Sequence, residues 1–281
     1  ERTIPQADIT VATCASQERI LRLQVGADCK VVVEPERRDT APAIMLACEH
    51  LHSVQGIDND DVVIVLPIDS YVDDSYFDRI VDVAAAVKNN VADICLLGAE
   101  PTYPSEKYGY IVPSSSTGSP RLVERFIEKP DSSTAADLIS KGALWHNCVF
   151  GFKLGYVLNI INNYGSYLDF ADLRARYSEL PINSFDYEVV ENADSIAVVP
   201  YSGPWADLGT WNTLSAEMAD RKSGHTVLDS STCENTHVIN ELDIPLIVSG
   251  INDAVVVATV DGILVCSKEQ SPRLKELVSL I

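Results

Sequence analysis

The sequence lacks the long apolar run that a membrane-spanning helix needs, and it is poor in basic residues. No stretch approaches the roughly 20 consecutive apolar residues of such a helix. The 21 Lys and Arg residues are outnumbered by 41 Asp and Glu residues, which gives a formal net charge of −20. This charge repels phosphodiester backbones, and no block of Lys or Arg interrupts it. We therefore expect a soluble protein that binds neither a membrane nor a nucleic acid, although a few local cations could hold a small phosphorylated ligand.

Paired cysteines are also missing. The seven cysteines are scattered and form no C-x-x-C pair, and the five histidines show no metal-binding spacing. This usage predicts free thiols in a reducing compartment. Nothing before Ile9 resembles a signal peptide, so we expect a cytoplasmic location. The chain begins with Glu1 rather than Met, which suggests that it does not begin where its gene begins.

Apolar β-branched runs alternate with helical periods from residue 9 to about residue 100. The alternation predicts crossover units and a largely parallel sheet covered by helices. Residues 62–66 are apolar at every position, which is typical of a central strand covered on both faces. Residues 108–112 and 122–128 flank a Ser/Thr/Gly-rich turn, which predicts an antiparallel hairpin.

The pattern changes again from about Gly224, where short β runs are separated by Asn, Asp and Gly. An amphipathic helix is predicted from Pro272. The chain therefore divides into a first domain at residues 1–223 and a small, mostly β domain at residues 224–281.

Two acidic residues follow predicted strands. Asp69 ends the motif L-P-I-D, and Asp207 lies in W-A-D-L-G-T-W. In open α/β sheets, ligands gather at the carboxyl ends of strands. Two carboxylates from distant segments can hold one divalent ion, and Mg²⁺ binds one or two carboxylates together with substrate phosphates. Each Asp could instead cap a turn or a helix, so the residues alone leave both interpretations open.

The tripeptide E-K-P ends the second strand of the predicted hairpin. Lys129 could meet a phosphate as a point charge, while the carboxylate of Glu128 accepts sugar hydroxyls. A surface ion pair followed by a turn is the ordinary alternative.

The segment at residues 34–44 joins a predicted strand to a predicted helix. Thr40 or Asp39 can cap this helix, and Pro42 suits its first turn, so its free N–H groups would face the same sheet edge. Arg38 could add a charge-assisted hydrogen bond to an anion. A well-capped helix without a ligand explains the same residues.

Seven motifs in sequence order resemble the mannose-1-phosphate guanylyltransferase family. The motifs lie at residues 34–44, 66–69, 108–111, 126–130, 145–150, 186–191 and 205–211. The resemblance covers nearly the whole chain. It implies a Rossmann-like nucleotidyltransferase fold of the α/β class, with a mixed, mainly parallel sheet flanked by helices and a small C-terminal β domain. It also implies transfer of GMP from GTP to mannose 1-phosphate, which gives GDP-mannose and pyrophosphate.

The resemblance implies roles for particular residues. Asp69 and Asp207 match the Mg²⁺ ligands of the family, Glu128 and Gly109 contact the sugar, and Lys129 meets its phosphate. The other positions expected to contact substrate are Tyr108, His146, Asn147, Arg38, Asp39, Thr40 and Pro42. Because the sugar phosphate is itself the nucleophile, alignment and charge neutralisation would supply most of the catalysis. The expected partners are GTP and mannose 1-phosphate, with a homodimer as a candidate assembly.

The chain departs from the family pattern in three places. Asp39 replaces the usual Asn, and His146 and Cys148 replace Asn and Gly in the sugar-side stretch. The glycine-rich opening loop of the family, which wraps a triphosphate with backbone N–H groups, is not found in the sequence. We expect an upstream segment to carry this loop and the preceding strand in the natural protein.

Two other functions remain open. A non-catalytic sugar-nucleotide-binding or regulatory protein would keep the pocket without the loop. A thymidylyl- or adenylyltransferase acting on glucose 1-phosphate would share the L-P-x-D and E-K-P motifs. Residues 34–44 favour the guanylyl branch.

Overall fold

The computed structural model describes residues 7–26, 29–114, 117–274 and 277. The strands are β1 (Thr10–Cys14), β2 (Lys30–Glu34), β3 (Val62–Val65), β4 (Ser70–Val72), β5 (Ile94–Ala99), β6 (Tyr110–Pro113), β7 (Arg121–Ile127), β8 (Leu144–Lys153), β9 (Ile196–Tyr201), β10 (Trp205–Asp207), β11 (Lys222–Ser223), β12 (Thr226–Leu228), β13 (His237–Asn240), β14 (Leu246–Val248), β15 (Ala254–Thr259) and β16 (Gly262–Ser267). The α-helices are α1 (Ala15–Val25), α2 (Thr40–Ser53), α3 (Asp74–Lys88), α4 (Ser132–Ser140), α5 (Leu154–Ile161), α6 (Phe170–Ala175) and α7 (Trp211–Glu217). A π-helix spans Asp186–Val190, and 3₁₀ helices span Tyr177–Glu179 and Lys268–Arg273.

The chain folds into two compact units. Unit 1 comprises the described residues up to Pro67 together with Asp73–Gly203, and unit 2 comprises Ile68–Val72 and the described residues from Pro204 onward. The predicted boundary after residue 223 thus differs from the boundary in the structure, which follows Gly203. The reason is that β10 pairs with β4, and α7 packs against β15 and the last 3₁₀ helix.

Unit 1 contains a six-stranded sheet in the order β3-β8-β5-β9-β7-β6. Strands β3, β5, β6 and β9 run in one direction, and β7 and β8 run in the other. The predicted α/β fold with a mixed sheet is therefore confirmed. Within the described part of this sheet, β5 and β9 are parallel to each other. The other neighbouring pairs are antiparallel, because each of them includes β7 or β8. Strands β1 and β2 form a separate parallel pair.

Among the described residues, the prediction that residues 62–66 form the middle of the sheet does not hold. In this part of the chain, strand β3 lies at an edge, pairs with β8, and is partly exposed at all four positions. The buried strand is β5, which is covered at all six positions. An unbroken apolar run indicates that both faces of a strand are covered, and α3 packs on β3 here. Such a run does not indicate whether both edges of the strand are paired.

Local signals define several elements of unit 1. The predicted antiparallel hairpin is confirmed as β6 and β7. Asp73, Asp131 and Asp169 precede α3, α4 and α6, and each carboxylate accepts a backbone N–H from the first turn. These bonds satisfy donors that the start of a helix leaves unpaired.

Unit 2 is built mainly from short strands, as predicted. One sheet has the order β11-β13-β15-β16, and β12 pairs with β14. All these pairs are parallel except β15 with β16. Its core includes Cys233, Val238, Val248 and Val256. The helix predicted from Pro272 falls largely on residues outside the described ones.

Within the described residues, no helix combines the length and the apolar character needed to cross a bilayer.

Candidate functional site

The pairing of β4 with β10 brings the two predicted acidic segments together in unit 2. Asp207 ends β10, and its Cα partner is Ser70, the residue that follows Asp69. Directly opposed Cα atoms in antiparallel strands lie about 4.5–5.5 Å apart. The two aspartates therefore occupy neighbouring backbone positions, although they are far apart in the sequence.

The carboxylate of Asp207 is held by a tight turn. Its Oδ1 accepts the N–H of Gly209 at 2.8 Å. A Cβ at residue 209 would lie 2.9 Å from this oxygen, so glycine permits the close approach. Thr210 then caps α7.

The donor set of Asp69 and Asp207 fits Mg²⁺ chemically, since both offer hard carboxylate oxygens. Across the described ranges, no group of three or more His, Cys, Asp and Glu side chains could hold a metal ion. An ion at the two aspartates would therefore need further ligands from water or from substrate phosphates. This arrangement is usual for Mg²⁺.

Gly109 lies against the carboxylate of Glu128 in unit 1. The carbonyl of Gly109 accepts the backbone N–H of His146 at 2.8 Å, which joins the start of β6 to β8. A Cβ at residue 109 would lie 2.5 Å from Glu128 Oε2 and 2.9 Å from Phe126 Cζ. Only glycine therefore allows this contact. Tyr108 is buried, and its ring packs edge-on against Trp145 at 5.0 Å.

Glu128 and Lys129 form an ion pair at the end of β7, with 2.8 Å between Lys129 Nζ and Glu128 Oε1. The Glu128 side chain is 7% exposed and that of Lys129 is 52% exposed. Burial raises the pKa of Glu128, and the bond from Lys129 only partly offsets it. The same bond raises the pKa of Lys129, so its ammonium group stays charged at neutral pH. This pair offers a half-exposed cation beside a buried acceptor.

His146 and Asn147 are buried in β8 rather than exposed beside this pair. Their side-chain nitrogen and oxygen atoms are all buried and without hydrogen-bond partners. Their predicted contact with substrate stays a prediction. His146 Nε2 lies 3.1 Å from Asp186 Oδ1, and the two side chains are 1% and 11% exposed.

Asp186 was not among the predicted site residues. The only signal for it was its place in the D-Y-x-x-x-E motif. Burial raises its pKa, but His146 and Lys129 outweigh burial and hold the pKa below the usual range. Asp186 is therefore ionised at neutral pH.

The predicted nucleotide-side segment starts α2. Asp39 has a φ of 72° and accepts the N–H of Thr40 at 2.7 Å. Thr40 Oγ1 accepts the N–H of Phe185 at 2.8 Å. Pro42 is buried in the first turn. The side chains of Asp39 and Thr40, which were expected to face a ligand, thus accept hydrogen bonds from the protein backbone.

Arg38 is also engaged within unit 1. Its guanidinium donates to the carbonyl of Leu180 at 2.9 Å and pairs with Glu36 Oε1 at 2.9 Å. Arg38 therefore anchors α2 to the segment around Leu180, and only part of its donor capacity remains for an anion.

A cavity of about 280 Å³ lies between β1, β2 and α2, with Cys14, Glu34 and Arg37 among its lining residues. Cys14 Sγ lies 3.4 Å from Arg37 Nη2 and 3.1 Å from Ser16 Oγ. The hydrogen bond with Ser16 and then that from Arg37 lower the pKa of Cys14 to about 7.

The fold and these residues define an α/β protein with a paired-aspartate segment and an ion pair between a buried glutamate and a half-exposed lysine. The family model described as "Nucleotidyl transferase" matches residues 11–223, and the chain belongs to this family.

The curated relatives support the same family. The chain is 30% identical to the xanthan biosynthesis protein XanB of Xanthomonas campestris pv. campestris (strain B100) over 272 residues. It is 28% identical to the mannose-1-phosphate guanylyltransferase RfbM of Salmonella typhimurium (strain LT2) over 275 residues. Each match covers 89% of this chain, but the chain spans only 57% and 56% of the two relatives.

A solved structure is similar along almost the whole chain. It is described as a mannose-1-phosphate geranyltransferase from Thermus thermophilus. The TM-score is 0.79 at 26% identity, and the match covers 99% of this chain and 86% of that one. The nucleotidyltransferase fold is thus shown together with the C-terminal strand unit.

Proposed function

We propose that the protein transfers GMP from GTP to mannose 1-phosphate, giving GDP-mannose and pyrophosphate, with Mg²⁺ held by Asp69 and Asp207. The observation that carries this proposal is the pairing of β4 with β10, which sets Asp207 opposite the residue after Asp69. The name of the Salmonella relative favours mannose 1-phosphate and GTP among the substrates of this family. Since the chain spans little more than half of its curated relatives, the activity is proposed for the whole protein.

The reaction needs little covalent help from the protein. A phosphate oxygen of mannose 1-phosphate forms a bond to the α-phosphorus of GTP, and the bond from that phosphorus to the departing pyrophosphate breaks. Mg²⁺ would supply charge neutralisation on the phosphates. Lys129 stays protonated and half exposed, so it can hold the sugar phosphate, while Glu128 accepts sugar hydroxyls. Both residues act by orientation, which can lower a barrier substantially when reacting atoms are held in line.

A pyrophosphate-release assay on the full-length protein tests the proposed substrates. GTP, ATP and dTTP are each supplied with mannose 1-phosphate or glucose 1-phosphate. We expect the highest kcat/KM for GTP with mannose 1-phosphate. A preference for dTTP or ATP with glucose 1-phosphate would assign the other branch, and GDP-mannose binding without pyrophosphate release would assign a regulatory protein.

Isosteric substitutions test the proposed metal ligands. D69N and D207N each remove one negative charge and should reduce kcat at least about 100-fold, with a higher Mg²⁺ requirement, as losses of charge stabilisation do. D137N is the matched control, because Asp137 lies in an exposed ion pair on α4. Near-normal rates in D69N and D207N would reject the metal assignment.

A further inference from the structure

A second pair of ionisable side chains lies near the Glu128–Lys129 pair. It consists of His146 on β8 and Asp186 at the start of the π-helix, whose side chains meet at 3.1 Å. Lys129 is half exposed, whereas both ring nitrogens of His146 are buried. The ring nitrogens of His146 are therefore not exposed to a ligand that contacts Lys129. His146 can influence such a ligand through Glu128, whose pKa the charge of His146 lowers.

Both the backbone and the ring of His146 contact neighbouring residues. Its backbone N–H donates to the carbonyl of Gly109. Its ring packs edge-to-face against Phe126 at 5.5 Å and against Phe150 at 4.9 Å. Neither its Nε2 nor Asp186 Oδ1 has a satisfied hydrogen bond, although the two atoms lie 3.1 Å apart. Buried polar groups are normally satisfied, and this exception calls for an explanation.

Glu128 faces charged groups on every element packed against it. Lys129 follows it on the hairpin, His146 lies on β8, and Asp186 begins the π-helix. Glu191 Oε1 lies 3.4 Å from the backbone N–H of Glu128. After burial and the Lys129 bond, the charge of Asp186 raises the pKa of Glu128, and the charge of His146 lowers it.

We propose that His146 and Asp186 form a positioning pair that sets the charge of Glu128, and thereby the affinity of the protein for a sugar phosphate. The ligand in this statement rests on the proposed function, but the effect on Glu128 does not. An asparagine at residue 146 could not carry a positive charge beside Asp186. The pair therefore depends on the histidine that this chain has at that position.

A carbon-13 NMR titration of the Glu128 carboxyl group tests the pair without a ligand. The protein is labelled with ¹³C-glutamate, and the signal is assigned by its loss in E128Q. We expect the titration midpoint to move to lower pH in D186N, because a neighbouring negative charge is lost. In H146N we expect it to move to higher pH, because a neighbouring positive charge is lost.

Two control variants make the same Asp-to-Asn and His-to-Asn changes at exposed residues away from Glu128. D137N and H225N should leave the Glu128 midpoint unchanged. Every variant is first compared with the wild type by circular dichroism and thermal melting. Should D186N or H146N fail to fold, D186S or H146Q makes the same change of charge. Midpoints that stay at the wild-type value, or that move in the same direction in both variants, would overturn the proposal.

Calorimetric titration with mannose 1-phosphate, from mildly acidic to mildly basic pH, then separates the pair from the proposed function. We expect affinity to fall as Glu128 takes up its proton, and this fall should move with the NMR midpoint of each variant. The titration of the sugar phosphate itself is common to all variants and cancels in the comparison. Opposite NMR shifts without binding to the wild type would leave the pair standing and reject the proposed substrate. Binding of mannose 1-phosphate without a change of the Glu128 midpoint in the variants would reject the pair and leave the proposed substrate standing.

Discussion

Replacing Gly109 with alanine tests whether Glu128 must lie where the structure places it. The new Cβ would be 2.5 Å from Glu128 Oε2, 2.9 Å from Phe126 Cζ and 3.3 Å from His146 Cβ. The first distance is about 0.9 Å shorter than the 3.4 Å at which ordinary contact begins. Because the Glu128 carboxylate is the end of a flexible side chain, we expect it to move, and it must then leave its place between Gly109 and Lys129.

The expected magnitudes follow from this overlap. Forcing an extra carbon into a packed site costs about 1–3 kcal/mol in the free energy of unfolding. Hydrogen bonds to a charged group contribute about 1.5–3 kcal/mol. Each 1.4 kcal/mol is about tenfold in Kd. G109A should therefore weaken mannose 1-phosphate binding about 10- to 100-fold in addition to lowering stability.

A second buried glycine separates the two effects. A Cβ at Gly151 on β8 would lie 2.6 Å from Val83 Cγ1 and 3.0 Å from Ile64 Cδ1. G151A should therefore destabilise the fold by a similar amount in urea denaturation but leave the calorimetric affinity for mannose 1-phosphate unchanged. Wild-type affinity in G109A, or an equal loss of affinity in G151A, would refute the assigned role of the Gly109 contact.

Two further predictions follow from the titrating groups. A carboxyl group with a raised pKa contributes stability that is complete below its unfolded pKa and is lost as the pH rises through its folded pKa, and Glu128 has such a raised pKa. E128Q should therefore be at least as stable as the wild type in urea at neutral pH, while its affinity for mannose 1-phosphate falls. The pKa of Cys14 is lowered to about 7 by Ser16 and Arg37, so its alkylation by iodoacetamide, followed by peptide mass mapping, should rise steeply through neutral pH. R37Q should move that rise to higher pH, and an unchanged profile would contradict the role of Arg37.

Signals within a few residues predicted much of the fold. An aspartate before a helical period located the start of α4, and a turn-rich stretch between two β runs located the hairpin. The position of β3 could not be found in this way. Its apolar run depends on what covers its two faces, whereas its place at the sheet edge depends on pairing with β8, about 90 residues further along the chain.

The candidate site shows the same division. Asp69, Asp207 and Lys129 could be proposed because each follows a strand that the sequence marks locally. The contact between His146 and Asp186 joins β8 to the π-helix, and no spacing rule connects those two segments. The burial of His146 could not be predicted from the sequence either, because a polar residue in a strand is ordinarily interpreted as a candidate for ligand contact. Only the fold shows that this side chain is buried.

Two points at which the chain crosses between the units are tied together within unit 1. The chain leaves after Pro67, returns at Asp73, and leaves again after Gly203. Asp73 Oδ1 accepts the hydroxyl proton of Tyr201 at 3.0 Å, so the return point and the second exit are tied together within unit 1. A Cβ at Gly203 would lie 2.5 Å from the same hydroxyl oxygen, which keeps this exit close. Within unit 2, the neighbouring positions of the two aspartates follow from the pairing of β4 with β10.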